Sequence, residues 1–466
     1  MNFKTKIAYT AVLATLGMAA GSAQAAFLSE QGTGQALIYP YYTVQGDKFD
    51  TYITVVNTTS QAKAVKVRFL EAKNSYEVLD FNLYLSAQDW WGGAVTTLAG
   101  DVTKAAKLVS SDKSCTDPLG PFTGVEFRNY QYKTDIFADP LLARTREGYV
   151  EIIEMGPITD AAMVANVTHI NGTPKDCKAA QKMNPTHIGT PTGGLIGTAT
   201  LINGPQGTDY SYDPVALDDL FGGPQYTPPG FTDPTFAKAL NVSTVIRRNA
   251  ATGAREVLTS LWGAGETSQG VEGVSAVLMH NSVMNEYVLE PTLKAATDWV
   301  VTFPTKHLHY GDTGVKPTPP FTSTLTVNGA CESVTLASYD REEGIGSPTS
   351  DFSPKPPADQ QGLCYEANVI TFGGGNLLSS ALTKNTNIAP YGINGWTNMT
   401  FSGNQQMTSG NTTINGGTGV FSATYYGLPA VGFALIGLKN EALTPGVLSV
   451  YGGSFIHKYT SNITVK

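Results

Sequence analysis

The stretch 297–310, TDWVVTFPTKHLHY, sets His307 and His309 two residues apart. At that spacing two imidazoles leave the same face of an extended chain and can reach one metal ion. Zinc needs three or four ligands, however, and Asp312 belongs to a GDTG turn that accounts for it without a metal. The reading is two exposed imidazoles beside Lys306, without a catalytic or metal role. A second candidate is GTDYSYDPVALDDL, where Asp209, Asp213, Asp218 and Asp219 crowd together with Tyr210 and Tyr212 between them. Oxygen ligands on a flexible loop suit weak Ca²⁺ binding, with Asp209 and Asp213 as first ligands, and Tyr rings beside acids suit a sugar. Asp-Pro turn chemistry explains the same residues without a ligand. A third candidate is QDWWGG: neighbours on a strand point to opposite faces, so one of Trp90 and Trp91 is expected outside, as a contact for protein or glycan.

Other chemistry is sought without result. The chain has no G-x-S-x-G elbow, no HExxH, no Walker A sequence and no EF-hand loop. No catalytic residue is assigned, and no cofactor beyond the weak Ca²⁺ is expected. Candidate contacts are Trp90, Trp91, Tyr210 and Tyr212.

The ends and the charge say where such a protein works. Lys4 and Lys6, an apolar run from Ile7 to about Ala20, and Ala23-Gln24-Ala25 have the layout of a signal peptide over 1–25, cleaved after Ala25. Its loss takes the 30 basic residues to 28 against 38 acidic ones, a net charge of −10, which repels nucleic acid. The mature chain has no stretch expected to span a membrane; LPAVGFALIGL is too short and reads as a buried strand. An even number of cysteines in an exported chain favours disulfides, and pairing Cys115 with Cys177 and Cys331 with Cys364 closes a polar, Pro-containing excursion in each half.

These residues need elements to hold them. FDTYITVVNTTSQAKAVKVRFLEAKN alternates with period two about NTTSQ, a hairpin signal, and EVLDFNLYLS continues the pattern. EGYVEIIEMG and LIGTATLIN are further strands, and 158–170 reads as a short helix capped by Thr159 or Asp160. The Gly/Pro/Asp/Tyr-rich 204–234 reads as irregular and is the first place to seek a binding surface. Val274 to Met284 reads as a helix followed by a strand at NEYVLE. In TDWVVTFPTK, Trp299, Val301 and Phe303 point one way and Asp298, Val300 and Thr302 the other, until Pro304 ends the strand. The expected fold is mainly β: tandem antiparallel, immunoglobulin-like sandwiches with long Pro/Gly-rich loops and few short helices. The divisions are 26–170 for an N-terminal sandwich, 171–235 for a loop-rich connection and 236–466 for a C-terminal β-rich domain. An outer-membrane barrel is disfavoured by the short strands and long loops.

VVNTTSQAKAVKVRFLEAKNS, TDWVVTFPTK and GLPAVGFALI together resemble an uncharacterised family of secreted proteobacterial β-rich proteins. The resemblance covers most of the mature chain. It implies export and a surface role and brings no catalytic residue or ligand with it. The expected function is an exported structural or adhesive protein of the cell surface or matrix, with other surface proteins, glycans or its own copies as partners. A soluble periplasmic or secreted protein that binds glycans or small ligands is the alternative, and a secreted hydrolase comes third.

Overall fold

The computed structural model describes residues 24–97, 101, 103–134, 136–137, 139–249, 251–263, 269–310, 316–341, 345–346, 362–386, 392–440 and 449–466. Most of the expected signal peptide, the GDTG turn with Asp312, and most of the loop between Cys331 and Cys364 lie outside these residues. The chain is mainly β, its strands almost all antiparallel, with three short α-helices among the described residues. Both expected disulfides, Cys115–Cys177 and Cys331–Cys364, are formed.

Alternating side chains stack two sheets into a sandwich. The first has seven strands: Phe27–Leu28, Val215–Asp218, Ala36–Thr43, Glu147–Pro157, Lys63–Glu71, Glu77–Leu85 and Cys115–Asp117, in that spatial order. The second has six: Thr208–Tyr212, Leu195–Asn203, Phe49–Asn57, Trp90–Thr96, Lys107–Ser110 and Phe122–Glu126. Val65, Val67, Phe69, Phe81 and Leu83 from the first meet Ile53, Val55, Trp91, Leu108 and Leu195 from the second in one core. The expected connection 171–235 is thus no linker, since strands 195–203, 208–212 and 215–218 complete these two sheets. The expectation of an irregular 204–234 fails for the same reason: Thr208, Tyr210 and Tyr212 alternate with exposed Asp209 and Ser211, and burying that face makes a strand.

The outer face of the first sheet carries Lys66, Arg68, Asp80 and Glu151, yet it is not open to solvent. The remaining loop covers it, with Lys66 Nζ donating to Pro228 O at 2.9 Å and Asn82 Nδ2 to Thr227 O at 2.9 Å. Under that cover Arg68 pairs with Glu151 at 2.7 Å and Glu77 at 2.8 Å, while Lys63 and Glu154, paired at 2.6 Å, lie at the end of the inner face, where Glu154 accepts from Thr192 N and Gly193 N.

The C-terminal half is built on a five-stranded sheet ordered Thr383–Thr386, Ala367–Phe372, Ala296–Thr302, Val431–Lys439 and Val450–Ile456. One face gives Val300, Val369, Phe433 and Leu435 to the core of the N-terminal sandwich. The other gives Trp299, Val301, Ile370 and Phe372 to a second core, shared with Ser282–Val288, Glu332–Asp340 and Asn394–Phe401. A sheet buried on both faces needs near-continuous apolar strands, and GLPAVGFALI is one. Polar groups cross the junction too: Thr302 Oγ1 donates to Pro40 O at 2.6 Å, and Glu147 accepts from Tyr41 Oη, Ser380 Oγ and Ala381 N at 2.6, 2.6 and 3.0 Å. The two halves therefore share a core instead of following one another as separate beads.

The helices fall close to expectation. Ala161–Val167 is capped by Asp160, whose side chain accepts from Met163 N. The helix expected over Val274 to Met284 instead spans Gln269–Leu278, and Met279–His280 and Ser282–Val288 are already strand.

Candidate functional site

The WWGG of 90–93 lies on the strand Trp90–Thr96 in the middle of the six-stranded sheet. Alternation sends the two indoles to opposite faces: Trp91 is 1% exposed, 5.6 Å from the Phe81 ring in the core, and Trp90 is 46% exposed. Each indole folds over the glycine two residues ahead on its own face. A Cβ at Gly92 would come within 2.4 Å of the Trp90 ring and 2.6 Å of the Tyr52 hydroxyl, and one at Gly93 within 2.7 Å of the Trp91 ring. Tyr52, on the neighbouring strand, is 36% exposed. Trp90 and Tyr52 together form an aromatic shelf over Gly92.

The shelf floors an open groove of about 750 Å³, whose walls include Ser110, Asp112, Lys113, Thr123 and His169. A second hollow of about 420 Å³ shares Asp112, Lys113 and Pro121 with it and runs on past Thr173 and Lys175, so the groove is elongated. Its hydrogen-bonding groups are ordered. Ser110 Oγ donates to Gly92 O at 2.6 Å, and Ser114 N to Asp112 Oδ1 at 2.8 Å. His169 Nδ1 stands 3.3 Å from Ser86 Oγ and 3.6 Å from Asp89 Oδ2. Burial, and then the Asp112 carboxylate, push the Tyr52 phenol above its usual range, which keeps it a neutral donor.

Local sequence explains the wall. The helix ends at Val167, and HINGTP turns back through Asn171 and Gly172, both at positive φ (53° and 80°), pairing His169 with Pro174. Asn-Gly is the pair that such a tight hairpin turn requires. Cys177, just beyond, is bonded to Cys115 on the edge of the seven-stranded sheet, and this staple holds the excursion beside the groove. Sequence reasoning missed Tyr52, Asp112 and His169. The period-two face shared by Tyr52, Thr54 and Val56 was the signal for the first; nothing local announced the others.

The remaining candidates have other roles. Tyr210 and Tyr212 are buried, so the ligand-contact expectation for them is corrected. Tyr212 stacks on Phe433 at 4.5 Å and its hydroxyl donates to Tyr41 O, while Tyr210 lies against Gly452, so both rings fasten the edge strand to the C-terminal sheet. Asp209 and Asp213 are exposed, one within that strand and one beyond its end. Among the described residues no three His, Cys, Asp or Glu gather where they could hold a metal ion.

His307 and His309 also depart from expectation. After Pro304 the chain makes a 3₁₀ turn, Lys306–His309, which breaks the alternation, takes the His309 ring inside and leaves His307 half-buried. His309 Nε2 is 2.8 Å from Ser275 Oγ and its Nδ1 is 3.0 Å from Thr318 Oγ1. The Ser275–His309 spacing is that of a nucleophile and base, but both residues are buried, so no substrate reaches the hydroxyl. His307 N donates to Glu366 Oε2 at 3.0 Å, and Lys306 Nζ donates to the carbonyls of Cys364 and Tyr365 at 3.0 and 3.2 Å. Lys306 therefore caps the second disulfide loop instead of standing in solvent.

No family model, no curated protein and no solved structure matches this chain. The function is therefore argued from the groove.

Proposed function

We propose that the chain is an exported adhesive or structural protein that holds glycan chains in the groove floored by Trp90 and Tyr52. The observation that carries this reading is the shelf: two aromatic rings half in solvent, converging over a glycine, with carboxylate, ammonium, hydroxyl and imidazole groups along the walls. Sugar rings offer apolar C–H faces to such rings and hydroxyls to such walls. The elongated groove suits a chain better than a single sugar. Export is supported by the signal-like N-terminus, by two disulfides, and by the lack among the described residues of any helix long and apolar enough to cross a membrane.

The test is retention on immobilised polysaccharides and on a glycan array. Trp90→Ala should abolish retention while changing stability by less than about 1 kcal/mol, because half of the ring is already wet. Gly92→Val should do the same by driving the Trp90 ring off its seat. Trp91→Ala serves as the control, and should cost roughly 3–5 kcal/mol as a core truncation. If Trp90→Ala and Gly92→Val both bind as the parent does, the groove is not the contact surface.

A further inference from the structure

A second cleft lies between the N-terminal strand Phe27–Leu28 and the C-terminal half, and it shares no lining residue with the aromatic groove. It has two chambers that meet at Leu28, His280 and Tyr459. The inner chamber, about 130 Å³, is walled by Leu278, Val283, Val301, Ala430 and Val431. An apolar cavity of roughly 150 Å³ stays dry and takes a benzene-sized molecule, so this one has room for the end of an alkyl chain. The outer chamber, about 450 Å³, runs along the strand Val242–Arg248 to Arg247, Arg248 and Arg255.

The charges at the outer end are not balanced internally. Arg247 is paired with Glu256 at 2.8 Å and Arg255 with Glu30 at 2.7 Å. Arg248 stands directly across the hairpin from Arg255, and its hydrogen bond is to the Gly253 carbonyl at 3.2 Å. Like charges in register on a hairpin repel, and Glu30 offsets only Arg255, which leaves Arg248 without a carboxylate partner among the described residues. At the neck a second polar group is unmatched: His280 is buried under the Tyr459 ring at 3.9 Å, and its Nδ1 has no hydrogen-bond partner among the described residues. Along the outer chamber, from Thr244 to Arg248, the strand advances about 13 Å, so an occupant that also reaches the inner chamber must be long as well as amphiphilic.

We propose that this cleft binds a medium-chain alkyl carboxylate, with the chain end in the inner chamber and the carboxylate against Arg248. Arginine suits that head because its fork of donors matches a carboxylate. The molecule would then carry a fatty acid at one site and a glycan at another.

Titration calorimetry of the full chain with decanoate, decanol and decyltrimethylammonium separates the contributions. Decanoate should bind saturably with one site per chain, decanol more weakly, and the ammonium not at all. Arg248→Glu, a surface change, should weaken decanoate by about tenfold or more while leaving decanol unaffected. Ala430→Leu should fill the inner chamber and remove both; if that variant fails to fold, Arg248→Glu decides. Absence of saturable decanoate binding, equal affinity for the ammonium, or an Arg248→Glu variant that binds decanoate as before would each overturn the proposal.

Discussion

His309 illustrates how one residue's neighbours set its chemistry. In an extended chain it would be a potential metal ligand beside His307, but in the 3₁₀ turn it fills a hydrogen-bonded slot between Ser275 and Thr318. Burial lowers its imidazole to about 3, so it is neutral at ordinary pH and serves as a packing and hydrogen-bonding group. Replacing His309 by Leu should therefore cost about 1–3 kcal/mol, the penalty of leaving buried hydroxyls short of partners, and denaturant titration would measure it. A variant as stable as the parent would place the ring in solvent. Trp90 and Trp91 teach the complementary lesson, since alternation alone separates them and the two glycines that follow supply the space each ring needs.

Among the elements, the five-stranded sheet and the segments beside it carry the most unusual burden, because titratable groups are withdrawn from water there: Asp298 on the sheet, Glu366 and His457 just outside its strands, and His280, His307 and His309 on neighbouring segments. Burial raises Asp298 to about 7 and Glu366 to about 8, and lowers His280, His307 and His309 to about 3 and His457 to about 4. The signs oppose one another. Between about pH 4 and pH 8 the folded carboxyls hold protons that the unfolded chain releases, so their contribution falls as pH rises. Below about pH 6.5 the unfolded chain protonates histidines that the fold keeps neutral, so theirs falls as pH drops. The two effects oppose each other between about pH 4 and 6.5, where four histidines outweigh two carboxyls and stability rises with pH, and above about pH 6.5 only the carboxyl loss remains. Thermal unfolding should be highest in mildly acidic buffer and decline toward pH 8, and Glu366→Gln should flatten the alkaline limb. A melting temperature that rises from pH 6.5 to 8 would contradict this account. The strands themselves were legible where one face was buried; 208–212 was missed because Gly, Pro and Asp around it read as loop, although TDYSY has the alternation.

At the scale of the whole molecule the halves depend on each other. Val300, Val369, Phe433 and Leu435 complete the N-terminal core, and Glu147 has its carboxylate held by Ser380 and Ala381 from the C-terminal half. Cutting the chain exposes both apolar surface and a buried charge, each costly. Residues 26–235 and 236–466, produced separately, should be insoluble or unfold without cooperativity, whereas co-expression should recover a complex; a soluble 26–235 fragment with a sharp transition would argue for independent domains.

The sequence alone determined the β class, the disulfide pairs, a short helix within 158–170 with Thr159 or Asp160 as its cap, and the opposite faces of Trp90 and Trp91. These follow from period, turn chemistry and local spacing, which act over a few residues or over loops that close on themselves. Only the tertiary structure decided that the charged face of Lys63–Glu71 is covered, that Tyr210 and Tyr212 are fasteners, that His309 is inside and His307 half-buried, and that Tyr52, Asp112 and His169 gather beside Trp90. Each of those outcomes depends on which distant segment packs against a given face, and burial, not residue type, determines whether a charge is paired, a ring is wet or an imidazole is neutral.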